Sequence, residues 1–574
     1  MNKKKLVIHI GNLKALPKNL EDADLLDISS SIITENKLNP HAFFDYATIY
    51  PQTLNTYKQF TEKLLEVEGL LDLKTNDFPL YWISTCAIKY HSRHWAKDFF
   101  VLLTVLEQCK EKITEHYGKL TMLLPSHLSF LTPTIANLLK QKNYTLEHAI
   151  VFDNVPFYVP SKLAIAKAFF KDSLKLLSFK PNNKTVSNAI YFHSPGKAAN
   201  KNAFLTNTQQ LFTSNNKFLS VLPFYWNTPE KTTIPSRFLI QKPTMRQLFS
   251  LGWQVLKTYN QLTKLTPPTL MLGAKYSIST AFLVPELKQT LRRNLHLLIF
   301  HQWLTNYFST LQQPTAIFFE DEFYEIGRII SAAAKKYPLV TTYGIQHGHF
   351  IEMHTVYSIY SSEINKKIPI PTHFITWGKT YNQLFLSNNN LPTAYTLALG
   401  NPNYVGNKLL ATLPTKITSL LWCLTTKECM YLEWDILKTA LAQGNYNLTI
   451  RLHPLRHITE NEVTHLLGNF PFTFAHEQNI TESFKNNDLI ISSAHSTTFL
   501  DALVEGKFCI RITSRFWNGN LTMDNDYLRT VKNKQEFNNA MQFFTSTNLV
   551  AHADNNLLEL KEEKWKVFIE ELDA

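Results

Sequence analysis

Short apolar runs alternate with amphipathic stretches along almost the whole chain, and this alternation is the primary structural signal. In the first 150 residues the runs Leu6–Ile10, Pro79–Ser84, Leu120–Leu124 and His148–Phe152 predict strands, with helical segments between them. Ser161–Lys180 predicts an amphipathic helix in which Lys167, Lys171 and Lys175 fall opposite Ile165, Phe169, Leu176 and Phe179. Ala189–His193 is a further short strand between the loop-like stretches Asn182–Asn188 and Ser194–Lys201.

The pattern is sharpest from Ala316 to Phe350. Ala316–Phe319 is an apolar run that breaks into Glu320-Asp321-Glu322, and Pro338–Tyr343 is a β-prone run that breaks into Gly344-Ile345-Gln346-His347-Gly348-His349. Between them Ile326, Ile329, Ile330 and Ala333 recur at helical spacing, so the stretch predicts a strand, a crossover helix and a parallel strand. Pro371–Gly378 and Tyr395–Asn403 continue the series, and Val405–Pro414 is a plausible hinge.

A second series follows: strands at Ile417–Leu424, Tyr446–Leu452, Asp488–Ile491 and Phe508–Ile512, with helices near Tyr431–Ala442 and over Thr497–Glu505. Leu557–Leu572 is amphipathic and suited to pack back on the first domain. The expected architecture is therefore α/β, with residues 1–405 and 406–574 as two Rossmann-like domains facing across a cleft.

Length and composition sharpen this picture without changing it. A chain of 574 residues is too long for one core, and by length alone holds roughly three to four domain-sized units. A hydrophobic content of 44% and an aromatic content of 13% belong to a globular protein. There is no apolar run near the ~18 residues a membrane span needs. Leu6–Ile10 is far too short for a signal peptide core, so a cytoplasmic location is expected.

Five cysteines, with no CxxC or Cys/His spacing, give no support to disulfides or structural zinc. The net charge of +12 points to anionic partners. The lysines are scattered and no nucleic-acid motif occurs, so phosphorylated ligands and an anionic membrane surface are favoured over nucleic acid. The lysine-bearing Ser161–Lys180 helix could lie on the anionic inner face of the cytoplasmic membrane; the alternative is a surface helix docked on the core with its lysines solvated.

Ligands of open parallel sheets sit beyond the carboxyl ends of the strands. The acids at 320–322 and the imidazoles of His347 and His349 are therefore expected on one rim of one cleft. In the second series, Leu489–Ile491 runs into Ser492-Ser493-Ala494-His495-Ser496-Thr497 and then a helix, which places amides and hydroxyls where a phosphate fits. Arg451-Leu452-His453-Pro454 ends another strand of the same unit.

At these residues a resemblance emerges. His495–Ile510, HSTTFLDALVEGKFCI, resembles the nucleotide-binding half of glycosyltransferases with the GT-B fold. Asp501 stands where those enzymes place a ribose-contacting glutamate, Gly506 matches the family glycine, and Phe508 replaces the usual proline. His453-Pro454 resembles the His-Pro motif of GT-B enzymes that use CMP-activated sugars and of CDP-glycerol polymerases, in which the histidine contacts the donor phosphate. EDEFYE at 320–325, YGIQHG at 343–348, FITWG at 374–378 and ALGNPN at 398–403 resemble segments of bacterial surface-carbohydrate biosynthesis proteins.

The resemblance implies an inverting, metal-independent glycosyltransferase that moves an acidic sugar of nonulosonate or Kdo type from a CMP-sugar to a hydroxyl of a glycan or glycolipid. The nucleotide sugar is a substrate, and no cofactor is expected. Donor contacts are assigned to Arg451, His453, Ser492, Ser493, Ser496, Thr497 and Asp501. Glu320, His347 and Asp321 are the catalytic candidates. Glu320 is favoured as base because it comes first beyond the strand, with Asp321 pointing to the other side if extended geometry continues. His347 is the rival base, while Gln346, His349 and Glu325 are acceptor or sugar contacts. The DxD-like triplet Asp524-Asn525-Asp526 reads as a loop. The alternatives are a CDP-glycerol or CDP-ribitol type phosphotransferase, or a non-catalytic member of a polysaccharide assembly complex.

Overall fold

The computed structural model describes residues 4–10, 17–28, 46–89, 95–153, 158–178, 189–192, 218–221, 243–273, 275–350, 355–405, 416–453, 458–477, 479–513, 524–546 and 558–573, with residues 38, 44, 207 and 211 singly. The loop-like stretches Asn182–Asn188 and Ser194–Lys201, Pro454, and nearly all of the expected hinge lie outside them.

Three parallel sheets organise the chain. Strands β1 (Lys4–His9), β2 (Asp24–Asp27), β3 (Tyr117–Pro125) and β4 (Glu147–Asp153) form the first, in the order β2-β1-β3-β4. Strands β5 (Ala189–Phe192), β6 (Phe218–Val221), β7 (Thr315–Phe319), β8 (Val340–Ile345), β9 (His373–Ile375) and β10 (Thr396–Leu397) form the second, in the order β10-β9-β8-β7-β5-β6. The third contains β11 (Ser419–Cys423), β12 (Asn447–Arg451), β13 (Thr473–Phe474), β14 (Leu489–Ser493), β15 (Phe508–Ile512) and β16 (Leu528–Val531), ordered β13-β12-β11-β14-β15-β16.

The strand sequences explain this layering. TAIFF in β7, LIISS in β14 and FCIRI in β15 are buried at every position, as expected of parallel strands covered on both faces. The helices used below are α1 (Lys162–Ser178), α2 (Met245–Leu262), α3 (Glu325–Ala334), α4 (Lys427–Gln443), α5 (Thr498–Val504) and α6 (Glu563–Asp573). Helix α3 crosses from β7 to β8 and buries Ile329, Ile330, Ala333 and Ala334.

Two expectations need correction. Pro79–Ser84 is not a strand: Phe78–Pro79 pairs briefly with Lys74–Thr75, and the chain then enters a helix at Tyr81–Lys89. That helix buries Tyr81, Trp82, Ile83, Ser84 and Thr85 in succession, so no polar face betrays its 3.6-residue period. Helix α4 begins at Lys427, with Thr426 accepting from the Cys429 amide, rather than near Tyr431. In addition, residues 1–405 hold two separate parallel sheets.

The largest core cluster runs from the first sheet through the second and takes in Leu421 and Ile490 of the third and Phe499 of α5. A separate cluster fills the other face of the third sheet around Trp422, Leu437 and Phe508. Helix α6 lies on the second sheet, where Trp565, Phe568 and Ile569 pack with Phe318, Tyr343 and Ile345. Gly400 makes that return possible: at φ +102°, any Cβ there would lie 2.4 Å from the Glu559 carbonyl oxygen. The fold is α/β, with two six-stranded parallel sheets whose carboxyl edges meet.

Candidate functional site

In the second sheet the chain starts on one side of β7 with β5 and β6 and continues on the other with β8, β9 and β10. The strand order therefore reverses beside β7, and by the rule for open parallel sheets the carboxyl ends on either side of that reversal form the crevice in which a ligand would sit. The segment that follows is Glu320-Asp321-Glu322. Asp321 adopts φ +57°, a left-handed conformation that aspartate tolerates better than most residues. Extended geometry therefore stops at this residue, and Asp321 does not turn away as expected. Its Oδ1 lies 3.3 Å from His347 Nε2, while Glu322 Oε2 lies 2.9 Å from His347 Nδ1.

Glu322, which the sequence reading passed over, is fully buried and grips the ring from below. Two glycines shape its seat. A Cβ on Gly344 would lie 2.5 Å from Glu322 Cβ, and a Cβ on Gly327 would lie 2.4 Å from the Glu322 carbonyl oxygen. A glycine inside a β-prone run, Gly344, was the signal available beforehand. Glu320 is 5% exposed, whereas the Asp321 side chain is 25% exposed, so the first acid past the strand is not the most open one.

Burial works against charge on His347, but Glu322, Asp321 and Glu320 outweigh it and raise the ring to about 9. At neutral pH His347 is thus an imidazolium held between two carboxylates. Burial, followed by the negative charge of Glu322, holds the neighbouring Tyr357 phenol well above its ordinary value, so it remains a donor. Gln346 is buried, and its side chain braces the turn: Nε2 donates to the Gly348 carbonyl at 3.0 Å, and Oε1 accepts from the Trp377 amide at 3.0 Å. His349 is also buried, 2.7 Å from the Tyr381 hydroxyl. Glu325 opens α3, where a carboxylate is favoured by the helix dipole. Of the expected cluster, Glu320, Asp321 and His347 come together; Gln346 and His349 hold the turn from behind.

The third sheet repeats the design. Strand β11 has β12 and β13 on one side and β14, β15 and β16 on the other, so the switch lies between β11 and β14. His453 follows β12 and is half-buried, and Ser496 and Thr497 follow β14 on the opposite flank. The hydroxyls expected there divide into two kinds. Ser492 and Ser493 are buried, and Ser493 Oγ donates to Glu433 and lies 2.6 Å from Thr425 Oγ1. Trp422 Nε1 donates to the other Glu433 oxygen at 2.7 Å. Burial nevertheless pushes the Glu433 carboxyl up to about 7.

Ser493 is therefore part of a buried brace and does not line the crevice as expected. Ser496 and Thr497 remain at the open edge, Ser496 Oγ lying 2.8 Å from Thr498 Oγ1. Arg451 is tied within its lobe, its Nη1 donating to Ser483 Oγ at 2.7 Å. Asp524 accepts from the Thr530 amide and hydroxyl, and so serves as a turn brace. Glu433 and the Thr425-Thr426 pair went unremarked in the sequence, where nothing distinguishes the first from an ordinary acid inside a helix or the second from an ordinary helix start.

The two crevices meet edge to edge. The His349 ring packs at right angles on Phe499 of α5, with centroids 5.2 Å apart. The Tyr404 hydroxyl donates to Asp501 Oδ1 at 2.5 Å. Burial pushes Asp501 up to about 6, against the pull of that hydrogen bond. His347 lies two residues before the His349 that makes this contact.

No protein family and no curated protein matches the chain. Among solved structures it is similar to UDP-N-acetylglucosamine 2-epimerase from Rickettsia bellii, at 12% identity over 68% of this chain and 96% of that one, with a TM-score of 0.38. It is also similar to UDP-GlcNAc 2-epimerase from Neisseria meningitidis, at 11% identity over 67% and 99%, with a TM-score of 0.37. A lipopolysaccharide outer core galactosyltransferase, WaaB, matches at 12% identity over 67% and 95%, with a TM-score of 0.39. Likeness at this level assigns no activity.

Proposed function

We propose that this protein is a GT-B glycosyltransferase that transfers an acidic sugar, of nonulosonate or Kdo type, from a CMP-sugar to a hydroxyl of a bacterial surface glycan in the cytoplasm. The observation that carries the proposal is the opposition of two switch-point crevices: one holds an acid-clamped imidazolium, and the other is edged by His453 and the Ser496–Thr497 turn. The sequence resemblance supplies the nucleotide and the sugar class.

In the reaction the acceptor oxygen attacks the anomeric carbon from the face opposite CMP. The bond from that carbon to the phosphate oxygen breaks, its electron pair leaves with CMP, and the configuration inverts. The acceptor proton passes to a carboxylate of the 320–322 turn. Asp321 is better placed for this than Glu320, being the more exposed. His347, already protonated, stabilises an anionic group of the sugar or donor instead of acting as the base. His453 and the Ser496–Thr497 turn meet the single leaving phosphate, and in this reading no metal is needed.

A thermal-shift screen against CMP, CDP, UMP, UDP and GDP tests the donor class, because a ligand at about 100 times its Kd adds about 2.7 kcal/mol to stability. CMP is expected to shift the melting temperature most. A preference for UDP or GDP overturns the donor assignment. A product with a new phosphodiester would replace glycosyl transfer with polyol phosphate transfer.

A further inference from the structure

Helix α2 is apolar on two opposite faces. Leu248, Leu251, Val255 and Leu262 are buried in the core. A helix seated this way normally turns polar residues to water. Instead, Met245, Phe249 and Trp253, spaced i, i+4 and i+8, project outward, with Phe249 and Trp253 each 73% exposed. The neighbouring helix α1 does the same with Leu163, Phe170 and Leu174.

An open groove of about 340 Å³ runs between the two helices, and Ser173 is its one hydroxyl-bearing lining residue. It is a built feature. Gly252 sits mid-helix at a cost of about 1 kcal/mol relative to alanine. Its missing side chain admits Phe169, whose ring lies 2.9 Å from where a Cβ would be. The start of α2 is fixed by a capping box, with Gln247 N donating to Thr244 Oγ1 and Thr244 N to Gln247 Oε1.

Charge decides what covers this face. Lys167 and Lys171 flank the exposed stripe of α1, Arg246 and Lys257 that of α2, and all four are exposed. Helix α2 carries no acid, and α1 carries only Asp172. A second copy of the chain, at net charge +12, would bring like charge against like. An anionic bilayer complements both features: aromatic and aliphatic side chains enter the headgroup boundary while the cations meet lipid phosphates.

We propose that the α1–α2 face docks on the surface of an anionic lipid bilayer, with Phe170, Phe249 and Trp253 inserted and Lys167, Lys171, Arg246 and Lys257 against the headgroups. This goes beyond the transferase reading and does not depend on it.

The test is co-sedimentation of the full chain with vesicles of phosphatidylcholine alone or containing phosphatidylglycerol, at low and high salt. Wild type is expected to bind the anionic vesicles at low salt and to be released by salt. F249S/W253S replaces exposed side chains, so its melting temperature should stay near wild type while binding falls at least about tenfold. K167E/K171E tests charge separately: about fivefold for each lysine removed makes the loss on the order of 25-fold. The proposal is overturned if wild type ignores anionic vesicles, if both variants bind like wild type, or if wild type forms a dimer that F249S/W253S dissolves.

Discussion

The two crevices occupy the same position in two parallel sheets of equal width, yet they treat their carboxyl groups in opposite ways. At the second sheet the carboxylates share a cation, and His347 rises to about 9 because that attraction exceeds the penalty of burial. At the third sheet the donors to Glu433 and Asp501 among the described residues are hydroxyl and indole groups; burial dominates and lifts the two carboxyls to about 7 and about 6. Counter-charge holds an imidazolium on one side of the junction, and desolvation raises carboxyl groups on the other. One edge sets a cation between two carboxylates; the other sets carboxyl groups in a desolvated brace of hydroxyl and indole donors.

The strongest way to break this comparison is to neutralise the acids. Asp321→Asn is expected to lower kcat by about 10²–10⁴-fold, the usual contribution of a general base, while CMP still raises the melting temperature. Activity of the wild type should hold through neutral pH and fall as His347 loses its proton near pH 9. Glu322→Gln removes a major source of that raised value, so the alkaline limb should move to lower pH. A rate that climbs through pH 9 in the wild type would instead make neutral His347 the base.

Stability should carry the same signature. His347 binds its proton more tightly folded than unfolded, raised from an ordinary imidazole value of 6.5 to about 9. Its contribution is full below pH 6.5 and is lost as pH rises through 9, amounting to roughly 3 kcal/mol by the shift. Glu433, raised from 4.5 to about 7, works in the same direction at lower pH. Chemical denaturation across pH 5 to 10 should show stability declining toward alkali, and His347→Gln should flatten the part above about 6.5. A curve for His347→Gln parallel to wild type would show that the acids do not hold the ring charged.

The glycine mould gives the next effect. Gly344→Ala places a methyl group 2.5 Å from Glu322 Cβ, and an overpacked strand position costs about 1–3 kcal/mol. Gly348→Ala serves as the control, since a Cβ there has no neighbour within 4 Å. The first is expected to lower both melting temperature and turnover, and the second neither. Equal effects would mean that the fit between Glu322 and β8 does not set the position of His347.

Much of the framework was readable in advance because buried parallel strands announce themselves as apolar runs. Ala316–Phe319 and Leu489–Ile491 show this, each running into the polar residues of a crevice. Tyr81–Lys89 defeated the same logic, since burial on every side erases helical periodicity. The site was harder for a different reason. Which of three consecutive acids faces an imidazole depends on one backbone torsion, the left-handed Asp321, and period-2 reasoning has no access to it. Ser493 was misread because a hydroxyl after a strand looks alike whether it faces a ligand or a buried Glu433, and that partner comes from a helix sixty residues earlier in the chain.

The smallest effect probes the junction itself. Tyr404→Phe removes the one hydroxyl that reaches from the second sheet's side to Asp501, and the expected cost is about 1 kcal/mol. The size should depend on pH. Burial already lifts Asp501 to about 6, and the tyrosine hydrogen bond opposes that lift, so its removal raises the carboxyl further. Because a raised carboxyl loses stability as pH rises through its folded value, the variant should fall behind wild type more at pH 8 than at pH 5, where the carboxyl is largely protonated in both. A deficit of the same size at both pH values would show that Tyr404 supports the junction by packing alone. The contrast between the crevices would then rest on His347 and Glu433.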